Sequence, residues 1–439
     1  MMAQPAPVRH ALQNYYTESA AQNVSFAPLS RSITTETCVI GAGLAGLNVA
    51  YELALAGHEV VVVDAGHVGW GASGRNGGFV SPGYALGHEA LLNAVGQDHG
   101  RKLLNLTHEA VALMKARHKA FGLSESERID GMLRLSLKAM PQTMAATAKR
   151  LQERAGFDLE YWPQQKVAAH LKSDVYGEGL FYKQGFHLHP LNYTRALAWE
   201  AHKHGAELFE QTPVTRVEEK ELYKTVHVAS GHTIQANNVV YACSGYIGGL
   251  NRALQYSVVP VATYVMATEP MGAELDEAIG VPYAILDSRF AQDYYRKLPD
   301  GRLLWGGRVS MFEPSAEKIK AMLMRDLVRV YPQLAHAKPE FAWGGLMGYA
   351  RHKMPQIGQL SKGVWYCTAF GGHGLCSTTA GGRVVAQGIL GVNDNWKLFE
   401  PFGLKFTGGP LVAPVVKQTM YWGYQALDQL TFLKGKFGK

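Results

Sequence analysis

The 439-residue chain is 47% hydrophobic and only 18% charged, which excludes a disordered polyelectrolyte and leaves room for two or three packed domains. A net charge of +7 invites anionic partners, but no basic helix interleaved with aromatics is present, so nucleic acid is not expected; a site for a substrate carboxylate suits the charge equally well. No apolar run reaches the roughly 18 residues of a bilayer span, the polar residues 1–32 lack a signal peptide's apolar stretch, and four cysteines without disulfide-like spacing suit a reducing cytoplasm, where the protein is expected.

In chain order, residues 1–35 read as an N-terminal arm, with a short helix over 11–18 and Tyr15 and Tyr16 available for packing. Thr37-Cys38-Val39-Ile40 is a short strand. Residues 44–55 are small and apolar at helical spacing, and 59–64 form a β-branched run. Strand, glycine turn, helix, strand is a βαβ unit, which requires a parallel sheet. Residues 88–171 read as largely helical, and 191–205 as a further helix closed by glycine. Strands are expected at 212–217, 225–228 and 239–243, then in alternating patterns at 256–268 and 302–310. A helix follows over 313–331. A strand at 364–370 then runs through a glycine turn into a helix ending near residue 389. Cys38, Cys243 and Cys367 lie in apolar strand-like runs, Cys376 stands apart, and no spacing suggests a disulfide or a metal site.

Three glycine turns carry the chemistry. Gly41-Ala42-Gly43-Leu44-Ala45-Gly46 fits G-x-G-x-x-G between a strand and a helix. The first glycine permits the turn, the second lets backbone approach a pyrophosphate, and the third lets helix pack on strand, with the helix N-terminus facing the phosphates. Asp64 ends the next strand, about 20 residues on, where an acid accepts from ribose hydroxyls; Ala65 follows it and no arginine does, which disfavours a 2′-phosphate. Next comes Gly71-Ala72-Ser73-Gly74-Arg75-Asn76-Gly77-Gly78, whose glycines let backbone press on a flat ligand and whose Ser73, Arg75 and Asn76 supply donors. Gly371-Gly372-His373-Gly374-Leu375 opens the last long helix, whose N-terminus can stabilise negative charge on a bound ring.

With these motifs in this order, the sequence resembles the D-amino-acid oxidase-like FAD oxidoreductases. Further matches are the Val214-Thr215-Arg216-Val217 strand, whose backbone meets adenine in that family, and the strand and turn 239–245, ending in Ser244 and Gly245. Residues 260–270 and 293–296 look like its γ-glutamylputrescine branch, with the bacterial L-pipecolate oxidases close by. The resemblance covers about residues 36–390. It implies a mixed α/β fold, with a Rossmann-like FAD-binding domain (36–87, 180–254, 340–395) interleaved with a substrate domain (88–179, 255–339) on a mostly antiparallel sheet plus helices, and a C-terminal helical tail over 396–439.

It also implies a reaction: a hydride equivalent passes from the carbon beside nitrogen of a small amine or amino acid to the flavin, giving an imine. Arg308, Arg351 and Arg296 are candidates for a substrate carboxylate, Tyr264, Tyr294 and Tyr295 for shaping the pocket, and His373 for a place beside the flavin. The sarcosine oxidase branch has a lysine that helps oxygen react; here Leu303-Leu304-Trp305-Gly306 has none, which leaves O2 and a quinone-linked acceptor both open. No cysteine stands near residues 346–349, so the FAD is expected to be non-covalent. A flavin-binding electron-transfer or assembly subunit without turnover is the alternative. Apolar residues beside terminal lysines over 415–439 leave open a peripheral contact with the inner face of a membrane.

Overall fold

The computed structural model describes residues 14–21, 24–124, 127–138, 143–289, 292–310 and 314–408. The first half of the chain gives α1 (Tyr15–Glu18), β1 (Ile33–Ile40), α2 (Leu44–Leu55), β2 (Val60–Val63), β3 (Phe79–Val80), α3 (His88–Val95) and α4 (Gln97–Ala120). There follow β4 (Ile129–Leu137), α5 (Met144–Ala155), β5 (Leu159–Trp162), α6 (Gln164–His170), β6 (Tyr176–His187) and α7 (Pro190–Lys203). Next are β7 (Glu207–Phe209), β8 (Val214–Glu219), β9 (Lys224–Val228), β10 (Thr233–Tyr241), α8 (Arg252–Ser257), β11 (Val259–Thr268) and α9 (Ala273–Ala278). The last are β12 (Ala284–Asp287), β13 (Tyr294–Lys297), β14 (Leu303–Ser310), α10 (Ala316–Val330), β15 (Pro339–Tyr349), β16 (Gln356–Ser361), β17 (Val364–Thr368) and α11 (Gly374–Ile389).

Two sheets organise these elements. The first has the order β16-β17-β10-β1-β2-β7, with β9 and β8 attached beside β10. Its β17, β10, β1, β2 and β7 run parallel, as the buried β-branched runs of β1 and β2 require. α2 packs against α11 and α7. Its small side chains permit a close crossing: a Cβ on Gly382 of α11 would lie 2.4 Å from Asn48 Cβ. The second sheet has the order β15-β11-β14-β13-β12-β4-β6-β3, with β5 on β6, and is antiparallel except where β12 meets β4. α10 covers one of its faces, burying Ile319, Leu323, Leu327 and Val330 with Leu133, Leu135, Tyr264 and Trp305.

The structure corrects two readings. The segment 88–171 is not wholly helical: β4 and β5 lie inside it. Leu133, Leu135 and Leu137 alternate and bury one face, a strand period that the flanking helical composition masks. β3 and β15, expected with the nucleotide-binding part, run in the second sheet, because β15 pairs with β11 along nearly its full length and β3 with the end of β6. Tyr15 and Tyr16 are buried, as expected. The tail over 409–439 lies outside the described residues. Among those described, no helix is long and apolar enough to cross a membrane.

Candidate active site

The first glycine turn is built as its spacing demands. Gly41 has φ +117°, and a Cβ there would sit 2.8 Å from the Ala242 carbonyl oxygen. A Cβ on Gly46 would lie 2.0 Å from the Gly41 oxygen, so only glycine lets α2 settle onto the turn. A Cβ on Gly43 would meet only Ser73, whose Oγ lies 3.0 Å away. The Ala42 amide donates to Asp64 Oδ2 (2.7 Å), the Gly66 amide to Asp64 Oδ1 (2.7 Å), and the Leu44 amide to Ser73 Oγ (2.9 Å). Burial pushes the Asp64 pKa up, and the two amide donors oppose that shift. Ala65 beyond it is exposed, while Leu44 and Ala45 are buried in the first turn of α2.

The second glycine loop differs from the expectation in part. Gly77 and Gly78 face protein: a Cβ on Gly77 would meet the Tyr294 ring at 2.7 Å, and one on Gly78 the Leu188 oxygen at 2.1 Å. Arg75 and Asn76, read as ligand donors, brace the loop. Arg75 Nε donates to Trp70 O (2.7 Å) and Nη1 to Gly344 O (3.4 Å). Asn76 Nδ2 donates to Ala72 O and Ser73 O, and its Oδ1 accepts from the Gly78 amide. Gly71 rests on the Tyr246 ring, and Ala72 and Arg75 face Gly345 of β15.

That strand is where the later turns meet. Ser244, at φ +49°, places its Oγ 2.6 Å from a Cβ on Gly348, and Gly245 packs on Met347 and Gly348. The Leu346 amide donates to Tyr246 Oη (3.1 Å), and the Gly372 amide to Tyr349 Oη (2.9 Å). Gly371, at φ +62°, lies against the Tyr349 ring. His373 is the N-cap of α11 but makes no side-chain cap. Its Nε2 instead reaches Ser81 O (2.9 Å), and burial holds the ring's pKa below the ordinary histidine value. The first turn of α11 thus keeps uncapped amides, and a Cβ on Gly374 would meet nothing within 4 Å, while Leu375 is buried behind it.

Other candidates fall elsewhere. Tyr264 is 1% exposed and faces the α10 core, because strand alternation puts it with Ala262 and Met266. Arg308, on a bulge of β14 with φ +53°, turns to α10 and pairs with Asp326 through both Nε and Nη2 (the latter at 2.8 Å). Tyr295 stacks on Trp305 in the same core. Arg296 is buried and donates to Gly77 O, Leu188 O and Tyr16 Oη. Arg351 is exposed in the turn after β15, and Val214 starts β8 on the flank of the first sheet. Tyr294 does lie at the site, its ring between Gly77 and Gly306. Tyr349 was not singled out by sequence; its position one residue beyond Gly348, at the end of an alternating strand, is the only local sign of its contact with the third turn. Among the described residues no cluster of three or more His, Cys, Asp or Glu is placed to hold a metal.

A parallel sheet with a glycine turn under Asp64, joined to a second sheet on which further glycine turns converge, defines a dinucleotide-binding oxidoreductase. The family described as FAD dependent oxidoreductase (DAO) matches residues 36–388, and the chain belongs to it. It is 32% identical over 429 residues to a probable oxidoreductase OrdL of Haemophilus influenzae, covering 95% of this chain and 97% of that one. It is 29% identical over 389 residues to the gamma-glutamylputrescine oxidoreductase of Escherichia coli, covering 88% and 91%. Among solved structures, glycine oxidase from Geobacillus kaustophilus superposes with a TM-score of 0.70 at 18% identity, covering 85% of this chain and 98% of that one. L-proline dehydrogenase from P. horikoshii gives 0.69 at 20%, covering 85% and 100%. The protein is therefore an FAD-dependent oxidoreductase, and its residues fit that cofactor. Gly43 and Gly374, each at the start of a helix, are positions where a Cβ would meet no backbone, and the start of α11 is left uncapped.

Proposed function

We propose that the enzyme oxidises the carbon–nitrogen bond of a small amine or amino acid, of the kind represented by γ-glutamylputrescine or a cyclic secondary amino acid. Support comes from the name of the E. coli relative and from the solved neighbours, which act on glycine and L-proline. The observation that carries the reading is the convergence on β15: Gly345, Gly348 and Tyr349 touch the second glycine loop, the 244–246 turn and the 371–372 turn, respectively. In this reading bound FAD, held without a covalent link, supplies the two-electron acceptor. Ser73, itself held by the Leu44 amide, and the amides of residues 43, 45 and 46 hold its phosphates, Asp64 its ribose, and residue 214 borders its adenine. The open start of α11 faces its ring, and neutral His373, pinned to Ser81, positions that turn rather than exchanging a proton. Tyr294 and Tyr349 wall the substrate space.

Anaerobic mixing of the yellow protein with glycine, L-proline, L-pipecolate and γ-glutamylputrescine tests the proposal. Bleaching of the flavin band by at least one is expected; no bleaching by any amine or amino acid would refute it. Acid precipitation should leave the yellow colour in the supernatant.

A further inference from the structure

In the first sheet β7 runs beside β2, with Val63 opposite Phe209. The pairing continues past both strands. The Asp64 amide donates to Phe209 O (3.0 Å), the Thr212 amide to Asp64 O (2.7 Å) and the Gln211 amide to Gly66 O (3.0 Å). Glu210 stands between these rungs and is 3% exposed. Its side chain turns into the loop 65–69, which leads from Asp64 to the second glycine loop. Oε1 accepts from the Val68 amide (2.8 Å), and Oε2 from His67 Nδ1 (2.8 Å) and Ser25 Oγ (3.3 Å).

That loop is also tied to the first glycine turn. The Gly66 amide donates to Asp64 Oδ1 (2.7 Å), the Gly69 amide to Ala42 O (3.1 Å), and the Ala42 amide to Asp64 Oδ2 (2.7 Å). A Cβ on Gly69 would lie 3.1 Å from both Leu191 and Thr194 of α7, so the far end of the loop rests on that helix. Each Asp64 oxygen thus spends one lone pair on a backbone amide and keeps another for a hydroxyl. Where those free lone pairs point depends on where the loop sits.

Two features show that Glu210 is more than filling. Burial raises the Asp64 pKa most, and the charge of Glu210 raises it further, so an acid at 210 works against its neighbour. Gln211, next in sequence, lies at φ +47°, a backbone region that glutamine seldom adopts, and its Nε2 meets His67 Nε2 at 3.3 Å. Strain and like charge side by side persist where the surrounding structure holds a working geometry.

We propose that Glu210 is a positioning residue for the cofactor: by pinning the Val68 amide and His67 it fixes the 65–69 loop, and so the direction in which Asp64 offers its carboxylate to the ribose. The inference rests on the reading above that Asp64 holds the ribose. Glu210 acts on FAD through Asp64 and leaves the ring end of the site unaffected.

The test follows release of FAD from the loaded protein after dilution, by the fluorescence of the freed flavin, at a temperature where wild-type release is measurable. Glu210→Ala leaves the buried Val68 amide without its acceptor and should speed release at least about tenfold. Glu210→Gln keeps an oxygen for that amide and should stay within about threefold of wild type. The visible flavin band before dilution should match wild type in each variant; a general slackening of the fold would shift it. Asp64→Asn should itself speed release at least about tenfold, and Glu210→Ala added to it should change the rate less than about twofold, because one residue works through the other. Should Glu210→Ala not fold, His67→Ala, at an exposed position, takes its place with an expected effect of about threefold.

Unchanged release in the Glu210→Ala or substituted His67→Ala protein, a shifted band, or effects that multiply fully with Asp64→Asn would each overturn the proposal. Unchanged release in Asp64→Asn would refute the ribose reading itself, and the proposal with it. None of these readouts depends on which amine the enzyme oxidises.

Discussion

The two faces of the second sheet treat charge in opposite ways. Toward α10, three guanidinium groups (Arg289, Arg308, Arg329) meet three carboxylates (Asp287, Asp293, Asp326) in one connected set of ion pairs. Toward the glycine turns, half-buried Arg134 and His88, whose ring packs on Phe157, have no hydrogen-bond or ion-pair partner among the described residues. The first arrangement answers a demand of folding: charges taken from water must be matched. The second leaves a guanidinium without a protein acceptor on the face where three turns gather. Unbalanced polarity, rather than the number of charged residues, separates the working side of the sheet from the structural one.

The largest effect should come from unbalancing the matched face. Asp326→Ala strips an acceptor from both Arg308 and Arg329 and should cost about 3 kcal/mol, read from urea unfolding. On the other face, Gly306→Ala would drive a methyl to within 2.1 Å of the Tyr294 ring. It should cost ~1–3 kcal/mol and reduce bound FAD, read from the absorbance of the purified protein.

Next in size is an acid effect. Burial, then His373, Arg134 and His108, hold His88 at about 3, below its ordinary value of 6.5. A histidine whose folded pKa is depressed contributes stability that is complete above 6.5 and is lost as pH falls toward 3, because the unfolded chain takes up the proton first. At pH 5 the loss from His88 amounts to roughly 2 kcal/mol. His88→Gln should flatten the fall in stability between pH 7 and 5 by about that much; His189, held at about 3 chiefly by burial, contributes equally in both proteins. The smallest effect should be Arg134→Met, under about 1 kcal/mol in urea. If it cost as much as Asp326→Ala, the contrast between the faces would be void.

How far the sequence displayed all this follows the range of each interaction. Gly46 is constrained by the Gly41 oxygen and Val39 of its own βαβ unit, and the positive φ of Gly41 is a local demand of the turn, so their spacing conveyed both the turn and the packing. Gly77 and Gly78 look equally ligand-directed in sequence, yet they are fixed by Tyr294 and Leu188, more than a hundred residues away. Arg308 looked available because Asp326 lies on a helix that the strand pattern does not place beside it. Tyr264 and Arg134 are the mirror cases. Each sits in an alternating strand, and only knowing which face α10 covers tells that Tyr264 is core and Arg134 is not. Arg134 was further hidden by the helical cast of its neighbours, although the Leu133, Leu135, Leu137 period was there to be read.

The short helix before β1 bears on how the chain can be trimmed. Tyr16 is fully buried, meets the Trp343 ring edge-on at 5.5 Å and accepts from Arg296, while Trp343 Nε1 donates to Arg75 O. A residue from the extreme start of the described chain is thus wedged under the very loop that Ser73 ties to the phosphate-binding turn. Cutting back to Ile33, where the first strand of the nucleotide fold begins, would pull out that wedge and slacken the cofactor cradle from behind.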